Sequence, residues 1–330
     1  MHTTQLAKAS TGASKAGLTK PPVLHIVLDW DVGLFNLILG ALAHVYWALS
    51  EGRIPIIYFG ENNCYFTPNG YRGCNTVWEY YFEPVIPEFP ASRVPAYVLE
   101  WTAENSLGRS NRGQFVDEFA FVSRNGAWHV TVDGEGLRGF RGHQPSSRHI
   151  REITASVIRD YIRPRDYIID KANRFFEEQL EGRYVIGVHI RGTDAIGDSG
   201  RQAIQTSINY DKFLAVLRRL RKVNPDALIF IASDEQAAVD LIRNAFSGVI
   251  AYESIRHQRG EVAGQGPVGG LMPAYLTNDP DRAAQNGEEA VIEYLLLCRC
   301  NYLVHNHSGI PRTVLSTVPD MPDTNVDFEE

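Results

Sequence analysis

The feature that most constrains this chain is the alternation of strand-length apolar runs with helix-length segments through its C-terminal half. Tyr184–Ile190, Ala227–Ala232, Val249–Tyr252 and Tyr302–His305 are short and apolar, whereas Tyr210–Val223, Glu235–Phe246 and Glu288–Cys300 are of helix length. Unbroken apolar strands separated by helices predict a parallel sheet covered on both faces. The N-terminal side opens the same way. Val23–Leu28 reads as a buried strand, Leu34–Leu49 as a helix apolar on nearly every face, and Ile54–Phe59 as the next strand. The expected architecture is α/β, with two Rossmann-like domains facing each other across a cleft. These are an N-terminal domain over 21–180 and a C-terminal domain over 181–330, after a disordered tail over 1–20.

Elsewhere the pattern is less regular. Gly60 to His149 is broken by Asn, Pro, Gly and aromatic residues, which predicts long loops and short strands. Helical periodicity returns over Ser147–Tyr161, is interrupted at Pro164 and resumes over Asp166–Leu180. Arg256 to Gly287 is rich in Gly, Pro and Asn and too long for an ordinary connection, so it is read as a substrate loop or a disordered one.

Charge and cysteine content exclude several classes. Lys plus Arg number 32 against 39 Asp plus Glu, a formal net charge of −7, which argues against a protein that coats nucleic acid. Any bound anion must be held locally. Four cysteines, Cys64, Cys74, Cys298 and Cys300, make neither a disulfide framework nor paired CxxC zinc clusters. Residues 1–20 lack an apolar core, and the run after them is too short for a signal peptide or a spanning helix. A soluble, cytoplasmic protein is expected. Neither a GxxxxGK(S/T) phosphate loop nor a GxGxxG after the first strand is present, which sets aside P-loop NTPases and nicotinamide dehydrogenases.

Chemistry-bearing residues gather where strands end. Val185 to Asp194 (VIGVHIRGTD) is an apolar strand that closes on His189, Arg191, Thr193 and Asp194. A guanidinium at a strand tip offers a fixed fork of donors that grips two phosphate oxygens. Two readings fit: a phosphate clamp, or a structural Arg191–Asp194 turn beside a buried His189. Ile229 to Glu235 ends in Ser233 and Asp234, which suit ribose hydroxyls or the start of the next helix. Glu293 stands in the apolar stretch Ala290–Cys298 and needs either an internal partner, such as Arg299 or a lysine, or a ligand with adjacent N–H donors, which a guanine edge supplies. Finally, Tyr302 to Pro311 runs from a strand into a helix whose free amides, beside Ser308 and Gly309, suit a diphosphate. His305 and His307 lack a third ligand, so no metal site is expected there. Asp29-Trp30-Asp31 is a weak DxD read as a loop and helix cap.

These segments together resemble a family. GVHIRGTD, the strand ending SDE, and VIEYLLLCRCNYLVHNHSG are similar in order and spacing to the fucosyltransferase superfamily, which includes the α1,6-fucosyltransferases of N-glycan cores and of rhizobial nodulation factors and the protein O-fucosyltransferases. The resemblance covers roughly Tyr184 to Leu315; in the N-terminal half it rests on Gly33 and Asn36, placed like a Gly/Asn loop facing the nucleotide sugar. It implies a GT-B architecture, GDP-fucose as donor, no cofactor, and inverting transfer without a metal. It further implies an acceptor on the N-terminal domain and the nucleotide sugar on the C-terminal one, with Arg191 on the β-phosphate and His189 beside it, Asp194 fixing the loop, Asp234 and Glu293 on the nucleoside, and Ser308 and Gly309 on the diphosphate; Ser233 and His307 are counted among the donor-binding residues. The α1,6 enzymes carry a second arginine and a lysine where this chain has Gly192 and Ala195, so the resemblance does not extend to that linkage.

An acceptor hydroxyl must also lose a proton, usually to a carboxylate within reach. Asp198 is the candidate base and Asp31, across the cleft, the reserve. The expected partners are a nucleotide sugar and a glycan or glycoconjugate acceptor, with a homodimer left open. Two other functions stay open on the same scaffold: transfer from a different nucleotide sugar, and a non-catalytic sugar-binding relative.

Overall fold

A computed structural model describes residues 21–29, 32–105, 113–124, 129–137, 147–192, 208–256, 263–265, 271–273 and 279–328. The first sheet is built from β1 (Leu24–Leu28), β2 (Ile54–Tyr58), β3 (Gln114–Phe115) and β4 (Ala120–Arg124), in the order β2-β1-β4-β3. Helix α1 (Leu34–Ser50) connects β1 to β2, which runs parallel to it, as the opening βαβ pattern predicts. β4 pairs parallel on the other side of β1 and antiparallel with β3. Between β2 and β3 lie α2 (Val77–Tyr81) and α3 (Ala96–Glu104), and after β4 a small hairpin of β5 (Thr131–Val132) and β6 (Glu135–Gly136).

Two amphipathic helices follow, α4 (Arg148–Tyr161), capped by the Ser147 hydroxyl, and α5 (Asp166–Gln179). The second sheet then forms from β7 (Val185–Ile190), β8 (Leu228–Ser233) and β9 (Val249–Ile250), linked by α6 (Tyr210–Val223) and α7 (Gln236–Ala245). A short antiparallel pair, β10 (Ala263–Gln265) and β11 (Leu271–Pro273), precedes the long helix α8 (Pro280–Leu297). β12 (Tyr302–His305), α9 (Gly309–Thr317) and β13 (Asp323–Asn325) close the chain. The sheet order is β13-β12-β7-β8-β9, and every pair is parallel.

Helix α8 begins at Pro280, earlier than the apolar pattern indicates, because Asn286 and Gly287 look like a break in the sequence. Gly287 is instead a packing site: a Cβ there would collide with the Tyr81 hydroxyl, which donates to the Ala284 carbonyl at 2.8 Å. The first sheet is built wholly from residues 24–124 and the second from 185–325, yet one apolar core joins them. Leu37 and Leu42 of α1 and Trp78 of α2 belong to the same cluster as Val291 and Leu296 of α8, Val314 of α9 and Phe230 of β8. The helices that cover the two sheets thus share one contiguous apolar core.

Candidate functional site

Ligands of open α/β sheets sit where parallel strands end and loops diverge. At that edge of the second sheet a solvent-open cleft encloses about 800 Å³ of space between the two halves. β7 contributes His189 and, just past its end, Arg191; β8 contributes Ser233 and Asp234; α8 contributes Glu293; and the turn into α9 contributes Ser308 and Gly309. Gly33 and Asn36, at the start of α1, line the opposite side. Nine residues singled out from sequence therefore share one cavity.

Four others do not join them in the described structure. His307 is not a cleft-lining residue; its ring contacts Arg312 and its backbone N–H donates to Asp327 at 2.8 Å. The extended chain turns away there to start α9. Asp31, Asp194 and Asp198 lie outside the described residues. The Asp29 half of the DxD does not cap α1, whose N-cap is Gly33; its carboxylate accepts the Gly60 N–H at 3.1 Å and ties the ends of β1 and β2 together.

Arg191 is held by its backbone. The Asn306 side chain accepts from the Arg191 N–H at 2.9 Å and donates to the Arg191 carbonyl at 3.1 Å, so one amide extends the β7–β12 ladder past the last paired residues. One residue on, the Gly192 N–H donates to Asp234 at 2.7 Å. The Ser233 hydroxyl lies at the cleft wall and bonds within the protein: it donates to the Ile190 carbonyl at 2.8 Å and accepts from the Glu235 N–H at 3.1 Å. Gly192 also packs tightly, since a Cβ there would sit 2.6 Å from a Glu235 carboxylate oxygen that accepts from Tyr210 at 2.6 Å. No side chain fits at position 192 without moving Glu235.

His189 is buried, and its pKa is depressed to about 3 by burial first, then by His305 and Arg191. It is neutral at physiological pH, and its Nδ1 has no hydrogen-bond partner among the described residues. Glu293 shows that both sequence readings apply together. It lines the cleft and also has an internal partner, which is Arg256 at 3.5 Å rather than Arg299, whose guanidinium goes to Asn173. Ser254 donates to Glu293 at 2.8 Å. Both contacts fall on Oε1. Burial outweighs these partners and pushes Glu293 up to about 7.

Two helix starts present backbone to the cleft. Gly33 precedes α1 on one side and Ser308 precedes α9 on the other, neither start has a side-chain cap, and neither first turn contains an acid. The two starts meet closely: a Cβ on Gly309 would lie 2.9 Å from the Phe35 Cβ and 3.2 Å from the Asn36 nitrogen. Two helix dipoles thus direct positive ends toward one cleft. The sequence did not single out Asn306, Tyr65, Asn286, Glu289 or the Ser254–Ile255 strap, which completes the wall through a 2.7 Å bond from Ile255 N–H to Glu289. A signal existed for α8: Asp279 before Pro280 is a helix-start pair, and its carboxylate accepts from Arg282 N–H at 3.1 Å. All four cysteines are free thiols. Among the described residues, no helix is long and apolar enough to cross a membrane.

A strand-tip arginine, two uncapped helix starts and a buried acid around one cleft define an α/β site suited to a nucleoside phosphate. No family model and no curated protein matches the sequence. Solved structures do match in fold. The α-1,6-fucosyltransferase NodZ soaked with GDP-fucose superposes with a TM-score of 0.51 at 16% identity, over 90% of this chain and 93% of that one. NodZ co-crystallized with GDP gives 0.50 at 16% identity, over 90% and 92%; Bradyrhizobium is a source of NodZ structures. A point mutant of Arabidopsis thaliana FUT1 in complex with GDP gives 0.52 at 12% identity, over 96% of this chain and 72% of that one. The α/β class with parallel strands expected from the strand–helix alternation is the one found.

Proposed function

We propose that this chain is a glycosyltransferase of GT-B type, with two Rossmann-like domains meeting near residue 180, that transfers fucose from GDP-fucose to a hydroxyl of a glycan or glycoconjugate. The observation that carries the reading is the meeting of Arg191, the starts of α1 and α9, and Glu293 in one cleft. The GDP and GDP-fucose named with the NodZ structures of like fold support the donor.

Charge development gives the mechanism. As the sugar leaves, negative charge grows on the diphosphate while the anomeric carbon becomes oxocarbenium-like. A preoriented guanidinium and helix-start amides stabilise that charge more than the ground state. Such a site supplies the positive field itself, so transfer is assigned as metal-independent. A carboxylate takes the acceptor proton as the hydroxyl attacks from the face opposite the leaving group, inverting the anomeric centre. Asp198, with Asp31 in reserve, is proposed for that role. The ionised Glu293 accepts from the two adjacent N–H donors of guanine, and Asp234 and Ser233 close the wall toward the ribose.

GDP release from GDP-fucose over an acceptor panel, with and without EDTA, tests this. Turnover that survives chelation is expected. Tight GDP binding with no turnover on any acceptor favours a non-catalytic binder, and a donor preference for UDP-sugars overturns the assignment of fucose.

A further inference from the structure

A second cavity lies behind the strap that closes the first. It is larger, about 1400 Å³ of solvent-open space against about 800 Å³, and Glu289 lines both. Five described parts of the chain build it: the Tyr71–Arg72 turn, helix α5, Arg243 of α7, the segment from β9 to Glu253, and the Gln285–Glu289 turn of α8. One wall is pre-formed. Arg72 adopts a left-handed conformation, φ 52°, in a tight turn closed by paired backbone bonds between Tyr71 and Cys74, where glycine or asparagine is usual. What holds it is Glu288, buried at the cavity floor, which accepts from the Tyr71 hydroxyl at 2.7 Å, from Arg72 at 3.3 Å and from Lys171. The Arg72 guanidinium is also stacked over the rings of Tyr71 and Tyr167.

The chemistry of the lining selects among ligands. Arg72, Lys171 and Arg243 are matched by Glu253, Glu288 and Glu289, and two of the three cations are already paired with Glu288. The described lining therefore carries no net positive charge to attract a phosphate or an acidic chain. Charged groups around the cavity equally disfavour an apolar segment, which would strip them of water. Phe175 and Tyr252, whose rings meet in edge contact at 5.2 Å, nonetheless line the cavity, and so does the exposed Gln179. Flat apolar faces beside planar groups that both donate and accept suit a ligand with apolar ring faces and many hydroxyls.

We propose that this second cavity binds an uncharged oligosaccharide, as a subsite for the acceptor distinct from the donor cleft. The assignment rests on the glycosyltransferase reading and names where its acceptor is held. Glu288 acts as a positioning residue that keeps Arg72 and Lys171 against the wall.

The full chain on an array of neutral and acidic oligosaccharides, with GDP titrated separately, tests it. Neutral oligosaccharides are expected to bind, with affinity about tenfold weaker in Tyr252→Ala and abolished in Gln179→Trp, which crowds the cavity from an exposed position. GDP affinity checks that each variant is folded, because neither residue lines the donor cleft. Retention of acidic glycans alone, no retention at all, or equal retention by wild type and both variants overturns the proposal. Saccharide binding by a chain that does not bind GDP instead leaves this cavity standing and removes the donor assignment.

Discussion

The two walls of the cleft are made differently. On the side of the second sheet, side chains carry the chemistry and specific bonds hold the chain around them: Asn306 grips the Arg191 backbone, Asp234 accepts from the Gly192 N–H, and Ser254 and Arg256 partner the Glu293 carboxylate. On the side of α1, the wall presents main-chain amides and a glycine start, with Phe35 and Asn36 pressed against Gly309. Side-chain chemistry is lost when one residue changes, whereas a backbone wall survives most substitutions that preserve its shape. This difference orders the expected effects.

The largest falls on Arg191. Arg191→Ala should lower kcat about 10²- to 10³-fold with an unchanged unfolding midpoint, as removal of a charge-stabilising donor does; wild-type turnover in that variant would refute the clamp. Asn306→Ala comes next. It strips the Arg191 backbone of two partners at a buried position, and a loss of about 1–3 kcal/mol in stability or transition-state binding is expected, partly recovered by Asn306→Asp, which keeps the acceptor. A variant indistinguishable from wild type would show that the clamp does not depend on this amide.

Glu293 gives a pH test. Because its folded pKa is raised to about 7, the stability its protonated form contributes is complete below the ordinary carboxylate range and is lost as pH rises through about 7. Guanine binding, by contrast, requires the ionised form. GDP affinity should therefore rise with pH, by about tenfold between pH 6 and 8, and Glu293→Gln should flatten that component in calorimetric titrations. A wild-type profile that matches the variant's would remove Glu293 from base recognition. The smallest effect is expected for Asn36→Ala, a change of about threefold or less in kcat/KM, because its wall acts through amides. A loss approaching that of Arg191→Ala would mean both walls work through side chains.

The sequence was legible where burial is two-sided. Val185–Ile190 and Leu228–Ser233 are covered on both faces, so their apolar runs are unbroken and their polar tips stand out. β4 was hidden because Ala120–Arg124 sits in an aromatic and polar region, although four of its five residues are buried against β1. β13, Asp323–Asn325, carries turn-type residues and is a strand only because β12 pairs with it. Gly287 misled for a related reason: its cause is a tyrosine about two hundred residues away in sequence. In the site, residues acting by charge could be found from composition at strand ends. Asn306 and Glu289 act by bonding to backbone elsewhere, and only the folded register reveals that.

The central claim is that the cleft seats a guanosine diphosphate between these two walls. A crystal structure of the complex with GDP tests it most directly. The account predicts the diphosphate between the Arg191 guanidinium and the first-turn amides of α1 and α9, with the guanine edge on Glu293. A nucleotide bound outside the cleft, or seated with its phosphates remote from Arg191, would contradict it.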